Sequence, residues 1–137
     1  MADHDPLTRR GCLTLLRTAS VGRIAYSEQA LPAIATVRFA VLGELIVVPL
    51  DVRSPLVACL RGTVVAFEAG LDGDQGGEWS VTCVGRATTI TGASDLTRVA
   101  ASSGWLLPAE FLAIGPELLR GRRFHLATLS PAVVPAS

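Results

Sequence analysis

The segment that most constrains the fold is "LPAIATVRFAV", residues 31–41, because its side chains alternate in character. Successive side chains of a strand point to opposite faces. One face therefore carries Ala33, Ala35, Val37, Phe39 and Val41, and the other carries Ile34, Thr36, Arg38 and Ala40. Leu42-Gly43 predicts a tight turn, after which "ELIVVPL" returns as the next strand. Such a short connection joins antiparallel neighbours.

The rest of the chain supplies four more strand patterns: "VGRIAYS", "TVVAFEA", "WSVTCVGRATTIT" and "GRRFHLATL" (121–129). Short helices are predicted after Asp5-Pro6, over 55–61 and after Ser94-Asp95, while 105–119 fits either a helix or a strand. Gly85 predicts a bulge or bend, and the glycine-rich acidic stretch 70–78 predicts a flexible loop. About six strands joined by short turns predict a mainly β, small antiparallel barrel with few helices rather than a doubly wound parallel sheet.

The length of 137 residues predicts one domain, folded over about residues 7–129 and ending in a loose tail. Half of the residues are hydrophobic and 18% are charged, which is apolar for this size. A buried oligomer interface or a mostly buried sheet would account for the composition. The 12 basic residues, all arginine, balance 12 acidic ones, so no nucleic-acid partner is expected.

The N-terminal segment is polar and acidic, unlike a secretory signal, and no apolar run approaches the about 20 residues that span a bilayer. We therefore expect a cytoplasmic protein without a membrane partner. The cysteines are Cys12, Cys59 and Cys83, an odd number without metal-ligand spacing. They are expected to be reduced, buried thiols.

No sequence motif assigns a catalytic centre. Phosphate-binding glycine loops, zinc-protease motifs and nucleophile elbows are absent. The two histidines, His4 and His125, have no metal-ligand spacing. His125 is expected to be exposed or interfacial, with a general-base role as the alternative. The sequence thus names no metal ligand and leaves catalytic residues unassigned.

The stretch "LDVRSPLVACLRG", residues 50–62, raises the question of an anion site. Ser54 has the character of a helix N-cap and Pro55 of the first helical residue. Free backbone N–H groups at a helix N-terminus bind phosphate, and Arg53 stands beside them. Arg53 is equally compatible with an ordinary surface turn, so both readings stay open.

A pattern over residues 7–129 resembles the pyridoxamine phosphate oxidase-like flavin-binding split-barrel family, closest to its small bacterial members. "VAFE", an acidic glycine loop and "WSVTCVGRA" carry the resemblance most specifically, with weaker support from "CLTLLRTASVGRIAYS", "LPAIATVRFAVLGELIVV" and "GRRFHL". The resemblance implies a six-stranded split barrel, usually a homodimer with two FMN sites at its interface. In some branches a deazaflavin or haem replaces FMN.

The resemblance also implies a set of cofactor-binding residues. Thr36, Val37, Arg38 and Phe39 would lie along the isoalloxazine, with Ser80 at its polar edge. The phosphate end would involve Pro49, Leu50, Asp51, Arg53 and Ser54. This chain departs from the pattern there, because Pro55 and Leu56 stand where relatives carry cations. Trp79 would stack on the flavin or, alternatively, pack in the core, and Arg86 and Arg123 are either surface charges or substrate contacts.

Three functions are compatible with these features. The first is an oxidoreductase that uses FMN or a deazaflavin and acts on a small molecule, the cofactor supplying the chemistry. The second is a non-catalytic dimeric module whose degraded flavin site holds another small anion or haem. The third is an interaction protein without a ligand. Fold resemblance alone does not choose among them.

Overall fold

The computed structural model describes residues 4–71, 78–90, 97–98, 101, 104–105 and 110–124. Within these ranges two helices have complete bounds, α1 (Arg9–Leu16) and α2 (Pro55–Leu60). Residues 97–98 and 101 are also helical, in agreement with the helix predicted after Ser94-Asp95. The strands, in chain order, are β1 His4–Pro6, β2 Val21–Glu28, β3 Leu31–Arg38, β4 Ala40–Leu42, β5 Leu45–Leu50, β6 Val64–Leu71, β7 Glu78–Thr89, β8 Glu110–Ile114 and β9 Leu118–Phe124.

All strand pairs are antiparallel, and the main path through the sheet runs β3-β2-β6-β7-β8-β5-β4. The long strand β7 connects the two halves. Its residues 79–86 pair with β6, while its other edge pairs first with β9 over 78–84 and then with β8 over 87–89. This curled sheet is a split barrel, as expected.

The described residues form nine strands instead of the six expected, for three local reasons. The 31–41 segment divides at Phe39 into β3 and β4, the ambiguous 105–119 segment contributes β8, and His4–Pro6 pairs with the end of β9. The last strand begins at Leu118 rather than at residue 121. Three predicted segments lie wholly or partly outside the described residues: the loop residues 72–77, most of the helix expected after Ser94-Asp95, and residues 125–129 with His125.

The barrel interior is apolar, and no charged or polar residue is buried among the described residues. Phe67, Leu16, Ile24 and Ile46 are among its fully buried side chains. A second, smaller cluster contains Val47 and Phe111 with partly buried Leu42, Ile90 and Trp105. Because Val47 faces this cluster while Ile46 and Val48 face the main core, β5 is buried on both faces. That explains the uninterrupted apolar run "LIVV".

The helix starts follow local capping. Ser54 and Pro55 cap and begin α2 as predicted. The prediction that Asp5-Pro6 caps α1 is wrong, because these residues pair with β9 and the Thr8 side chain accepts a hydrogen bond from Gly11 N at 3.0 Å. Cys12, Leu13 and Leu16 form the buried face of α1. Among the described residues, neither helix has the length and apolar character needed to cross a bilayer.

Candidate functional site

The outer face is the surface of β3, β2, β6, β7 and β9 that points away from the core. Alternation assigns its members, because every second residue of β7 from Trp79 to Ala87 is buried while Ser80, Thr82, Val84 and Arg86 are not. The same alternation leaves Ile34, Thr36 and Arg38 of β3 exposed. The two faces deduced from "LPAIATVRFAV" are thus confirmed.

Strand register organises the outer face into rows that cross five strands. The apolar row consists of Ile34, Ala25, Ala66, Val84 and Leu118, each paired with the next. The polar row beside it consists of Thr36, Arg23, Glu68, Thr82 and Arg120. Ile34 is 72% exposed and Leu118 is 42% exposed, so the apolar row is presented to solvent in the single chain.

The outer face carries more positive than negative charge. Arg23 pairs with Glu68, with Nε 2.9 Å from Oε1, and Ser80 Oγ donates to the other carboxylate oxygen at 3.1 Å. Arg38 and Arg120 make no hydrogen bond or ion pair within the part of the chain that the structure describes. Glu68, the only carboxylate in these two rows, is therefore paired with Arg23. Arg38 and Arg120 leave an uncompensated positive charge at each edge of the outer face.

A groove of about 580 Å³ runs along β7 and β9. Its lining includes two opposed pairs, Ser80 with Arg122 and Thr82 with Arg120. The remaining lining residues are apolar or glycine: Leu7, Val84, Leu118, Leu119 and Gly121. Its volume falls within the range of about 300–1,000 Å³ that is usual for small-ligand pockets. No cluster of three metal-ligating side chains occurs in the described ranges.

The structure distributes the predicted flavin residues over two sides of the sheet. Thr36, Arg38 and Ser80 lie on the outer face. Val37, Phe39 and Trp79 point into the core, where they are 6%, 2% and 2% exposed. Of the two roles considered for Trp79, stacking on the flavin or packing in the core, its burial therefore supports packing in the core. Phe39 and Phe67 pack edge to face there, with ring centroids 4.8 Å apart.

In the turn 51–54, the backbone N–H groups of Arg53 and Ser54 are already hydrogen-bonded within the turn. Asp51 Oδ1 accepts from Arg53 N at 2.8 Å and lies 3.5 Å from Arg53 Nε. The backbone N–H of Arg53 lowers the pKa of the Asp51 carboxyl, so the turn contains a carboxylate. Ser54 Oγ accepts from Leu56 N at 3.2 Å, and Pro55 has no N–H. An incoming phosphate would have to displace these contacts.

The other residues of this predicted phosphate end have local structural roles. Leu50 is buried, and Pro49 and Leu50 pair with Phe111 and Glu110 at the end of β5. Leu56, at the position where the resemblance implies a cation, is partly buried and packs against the main core. The Arg53 side chain is 89% exposed, so it has conformational room to reach a ligand.

Sequence reasoning missed Arg23, Glu68, Arg120 and Arg122 as members of one surface. Arg120 stood outside the strand predicted to begin at 121, so its alternation with Leu118 and Arg122 was not used. The correct signal was the i, i+2 spacing of "LRGR" opposite the similar spacing of Ser80 and Thr82. Arg86, an alternative substrate contact, instead donates to the Gly62 carbonyl oxygen.

An antiparallel split barrel with an amphipathic, cationic outer face defines the class of this protein. Residues 8–123 match the family model described as pyridoxamine 5′-phosphate oxidase, so the chain belongs to that family. The FAD binding protein from Mycobacterium smegmatis is a similar solved structure, 27% identical with a TM-score of 0.75 over 88% of this chain and 98% of that chain.

Two further solved structures share the fold. The FAD-binding protein from Mesorhizobium loti is 21% identical, with a TM-score of 0.71 over 87% of this chain and 95% of that chain. The FAD and heme binding protein from Mycobacterium smegmatis is 14% identical, with a TM-score of 0.70 over 90% of this chain and 74% of that chain. None of the curated proteins matches the chain.

Proposed function

We propose that this protein binds a flavin on its outer face, as a homodimer, and uses it to oxidise or reduce a small molecule. The observation that carries the proposal is the outer face itself, on which an exposed apolar row adjoins a row rich in arginine. A flavin nucleotide has the matching combination of a flat apolar ring system and a phosphate group. The FAD-binding names of several structural neighbours support the same ligand class.

The positions of the predicted contacts favour a site shared by two subunits. Thr36 on β3 and Ser80 on β7 lie three strand intervals apart, which is about 14 Å at the usual strand spacing. Short side chains at that separation do not both touch one ring edge from a single subunit. A two-fold dimer that brings β3 of one protomer near β7 of its partner allows both contacts and covers the apolar row.

Two of the predicted flavin contacts, Arg53 and Arg38, have the charge to hold the flavin phosphate. The turn 51–54 offers Arg53, but Asp51 and Ser54 occupy the neighbouring donors. Arg38, on the outer face beside Thr36, has no partner within the described residues, and one arginine can donate two parallel hydrogen bonds to a phosphate. Arg38 can bind the phosphate of FMN or FAD without breaking an existing contact, so it is the preferred phosphate ligand. Arg53 remains the alternative phosphate ligand that the sequence predicts.

The test begins with the absorbance spectrum of the purified protein, followed by titration of the apoprotein with FMN, FAD, a deazaflavin and haem. Arg38→Ala should weaken flavin binding about tenfold or more, since a charge-assisted hydrogen bond contributes about 1.5–3 kcal/mol. Arg53→Ala reports on the turn, and Arg10→Ala, an exposed change on α1, is the matched control. Anaerobic bleaching of the flavin by a reduced nicotinamide nucleotide tests redox competence.

The dimer is tested separately by Ile34→Arg. Ile34 is 72% exposed, so the change leaves the core intact, but it places a charge in the apolar row. Sedimentation should show a monomer with a native circular dichroism spectrum and weakened flavin binding. A wild-type monomer that binds flavin tightly would refute the shared site.

The alternative function is a dimeric binding module without catalysis, and the turn 51–54 favours it. The backbone N–H groups of Arg53 and Leu56 are hydrogen-bonded to Asp51 and Ser54, and Leu56 packs against the core where the resemblance implies a cation. A protein that binds haem or another small anion on the outer face, but no flavin in the titrations above, would support this function instead.

A further inference from the structure

The outer face has two properties that oppose each other when a second copy covers it. Its apolar row, in which Ile34 is 72% and Leu118 is 42% exposed, favours association because association removes apolar surface from water. Its charges resist association, since the described outward positions of the five strands hold five arginines against two glutamates, an excess of three positive charges on each face. These charged residues are Arg23, Arg38, Arg86, Arg120, Arg122, Glu68 and Glu78.

Two of these arginines have all their donors available. Arg38 and Arg120 make no hydrogen bond or ion pair within the part of the chain that the structure describes. They stand on β3 and β9, the two ends of the outer face, four strand intervals apart. That distance is about 19 Å at the usual strand spacing, so one small anion does not contact both within a single chain.

The proposed dimer brings the two ends of the outer face together. It places β3 of one protomer near β7 of its partner, and β9 is the neighbour of β7 in the sheet. Arg120 of the partner subunit then lies within about one strand interval, about 5 Å, of the strand that carries Arg38. Two-fold symmetry repeats this meeting once more in the dimer. Arginines without a partner of their own thus face each other at two places, and like charges juxtaposed across an interface disfavour association.

We propose that dimerisation of this protein is coupled to oxyanion binding, with a phosphate-like anion held between Arg38 of one protomer and Arg120 of the partner subunit. The inference rests on the proposed function, since it uses that dimer. The anion accepts hydrogen bonds from both guanidinium groups and cancels their repulsion, so the apolar rows can be covered. Because linkage is reciprocal, the dimer binds the anion more tightly than the monomer does. Free phosphate and the phosphate of a flavin share this chemistry, and either one assembles the protein.

The experiment measures the dimer dissociation constant of the flavin-free full chain by sedimentation equilibrium. The buffers contain sodium chloride, sodium sulfate or sodium phosphate at pH 7 and equal ionic strength, so that screening by salt is the same in all three. Sulfate and phosphate should lower the dissociation constant about tenfold or more relative to chloride, the effect of one charge-assisted contact. FMN should lower it further than riboflavin, which has the same ring system without a phosphate.

Arg38→Gln and Arg120→Gln test the two cations, and Arg10→Gln, an exposed change on α1, is the matched control. In chloride, each test variant should dimerise about tenfold more tightly than wild type, because a repelling charge has been removed. Each should also lose the response to sulfate and phosphate. The direction is diagnostic, since replacing an arginine that merely held the interface together would weaken the dimer. Arg10→Gln should behave as wild type in every buffer, and circular dichroism verifies that each variant is folded.

The outcomes separate this inference from the flavin proposal. Dimerisation that responds to phosphate and to FMN, and loses both responses in Arg38→Gln and Arg120→Gln, supports both. Flavin binding by a dimer whose dissociation constant is the same in chloride and phosphate overturns the coupling and leaves the flavin function intact. Phosphate-dependent dimerisation in a protein that takes no flavin supports the coupling and refutes the flavin function. A weaker dimer of either test variant in chloride, or a response to phosphate that both variants retain, overturns the assignment of the two arginines.

Discussion

Gly85 lies where β7 changes partner from β9 to β8, and replacing it with alanine tests how this junction is built. A Cβ added at Gly85 would overlap the carbonyl oxygen of Gly115 and lie 3.0 Å from its carbonyl carbon. Both atoms are backbone, so relief requires movement of the segment between β8 and β9. Overpacking a folded interior costs about 1–3 kcal/mol, and we expect Gly85→Ala to lie near 3 kcal/mol because no flexible side chain can yield.

Gly115→Ala is the matched control, because it adds the same methyl group on the other side of the same contact. Its Cβ would meet only Leu45 Cδ2, at 3.8 Å, an ordinary contact. We expect its free energy of unfolding to stay within about 0.5 kcal/mol of wild type. The assay is urea unfolding followed by the fluorescence of the two tryptophans, Trp79 and Trp105. The protein concentration is held fixed, because the proposed dimer would contribute to apparent stability.

The expected loss corresponds to a fall in melting temperature of about 4 °C per kcal/mol for a domain of this size, or about 12 °C for Gly85→Ala. Equal urea midpoints for Gly85→Ala and wild type would refute the close approach of the two backbones. Equal losses in Gly85→Ala and Gly115→Ala would show that glycine flexibility, rather than the carbonyl contact, matters at this junction.

Three further predictions concern the hairpin and the thiols. Ala30→Gly should raise the free energy of unfolding by about 1 kcal/mol, because Ala30 has φ +65° in the β2–β3 turn and glycine carries no penalty there; a lower urea midpoint would contradict this. Iodoacetamide at pH 8 should label Cys59 in the native protein and reach buried Cys12 and Cys83 only after unfolding; native labelling of all three would refute the burial. Burial raises the pKa of Cys83 to about 11 from 9.0, so the folded state holds its proton longer than the unfolded state, and stability should fall as pH rises through this interval; Cys83→Ala should flatten that fall in urea titrations at pH 8–11.

The two faces of β3 and β7 were predictable because alternation is a local property. Val37 and Trp79 are buried, and Thr36 and Ser80 are not, in agreement with the period of two. The capped start of α2 was predictable for the same reason, since Ser54 and Pro55 act on adjacent residues. These features depend on neighbours in sequence and need no knowledge of how the sheet closes.

The composition of the outer face was not predictable, since it depends on long-range register. The apolar row joins residues from Ile34 to Leu118 through four strand pairings. A shift of one residue in any of these pairings would move part of the row to the other face. The start of β9 was also misplaced, so Arg120 and Arg122 were not recognised as neighbours of Thr82 and Ser80. The arginine pair became visible only when the register aligned β9 with β7.

The burial of Val37 and Phe39 limits how these residues can take part in flavin binding. Their side chains fill the core, so a contact along β3 has to come from the backbone or from the outward side chains of Thr36 and Arg38. β3 ends the path of paired strands, and an edge strand has backbone N–H and C=O groups without a partner strand. The N–H of Phe39 is excluded from this role, because it donates to the Ser20 carbonyl oxygen at 3.0 Å. Within the predicted stretch 36–39, the edge of β3 before Phe39 and the side chains of Thr36 and Arg38 are therefore where flavin contacts can form without opening the core.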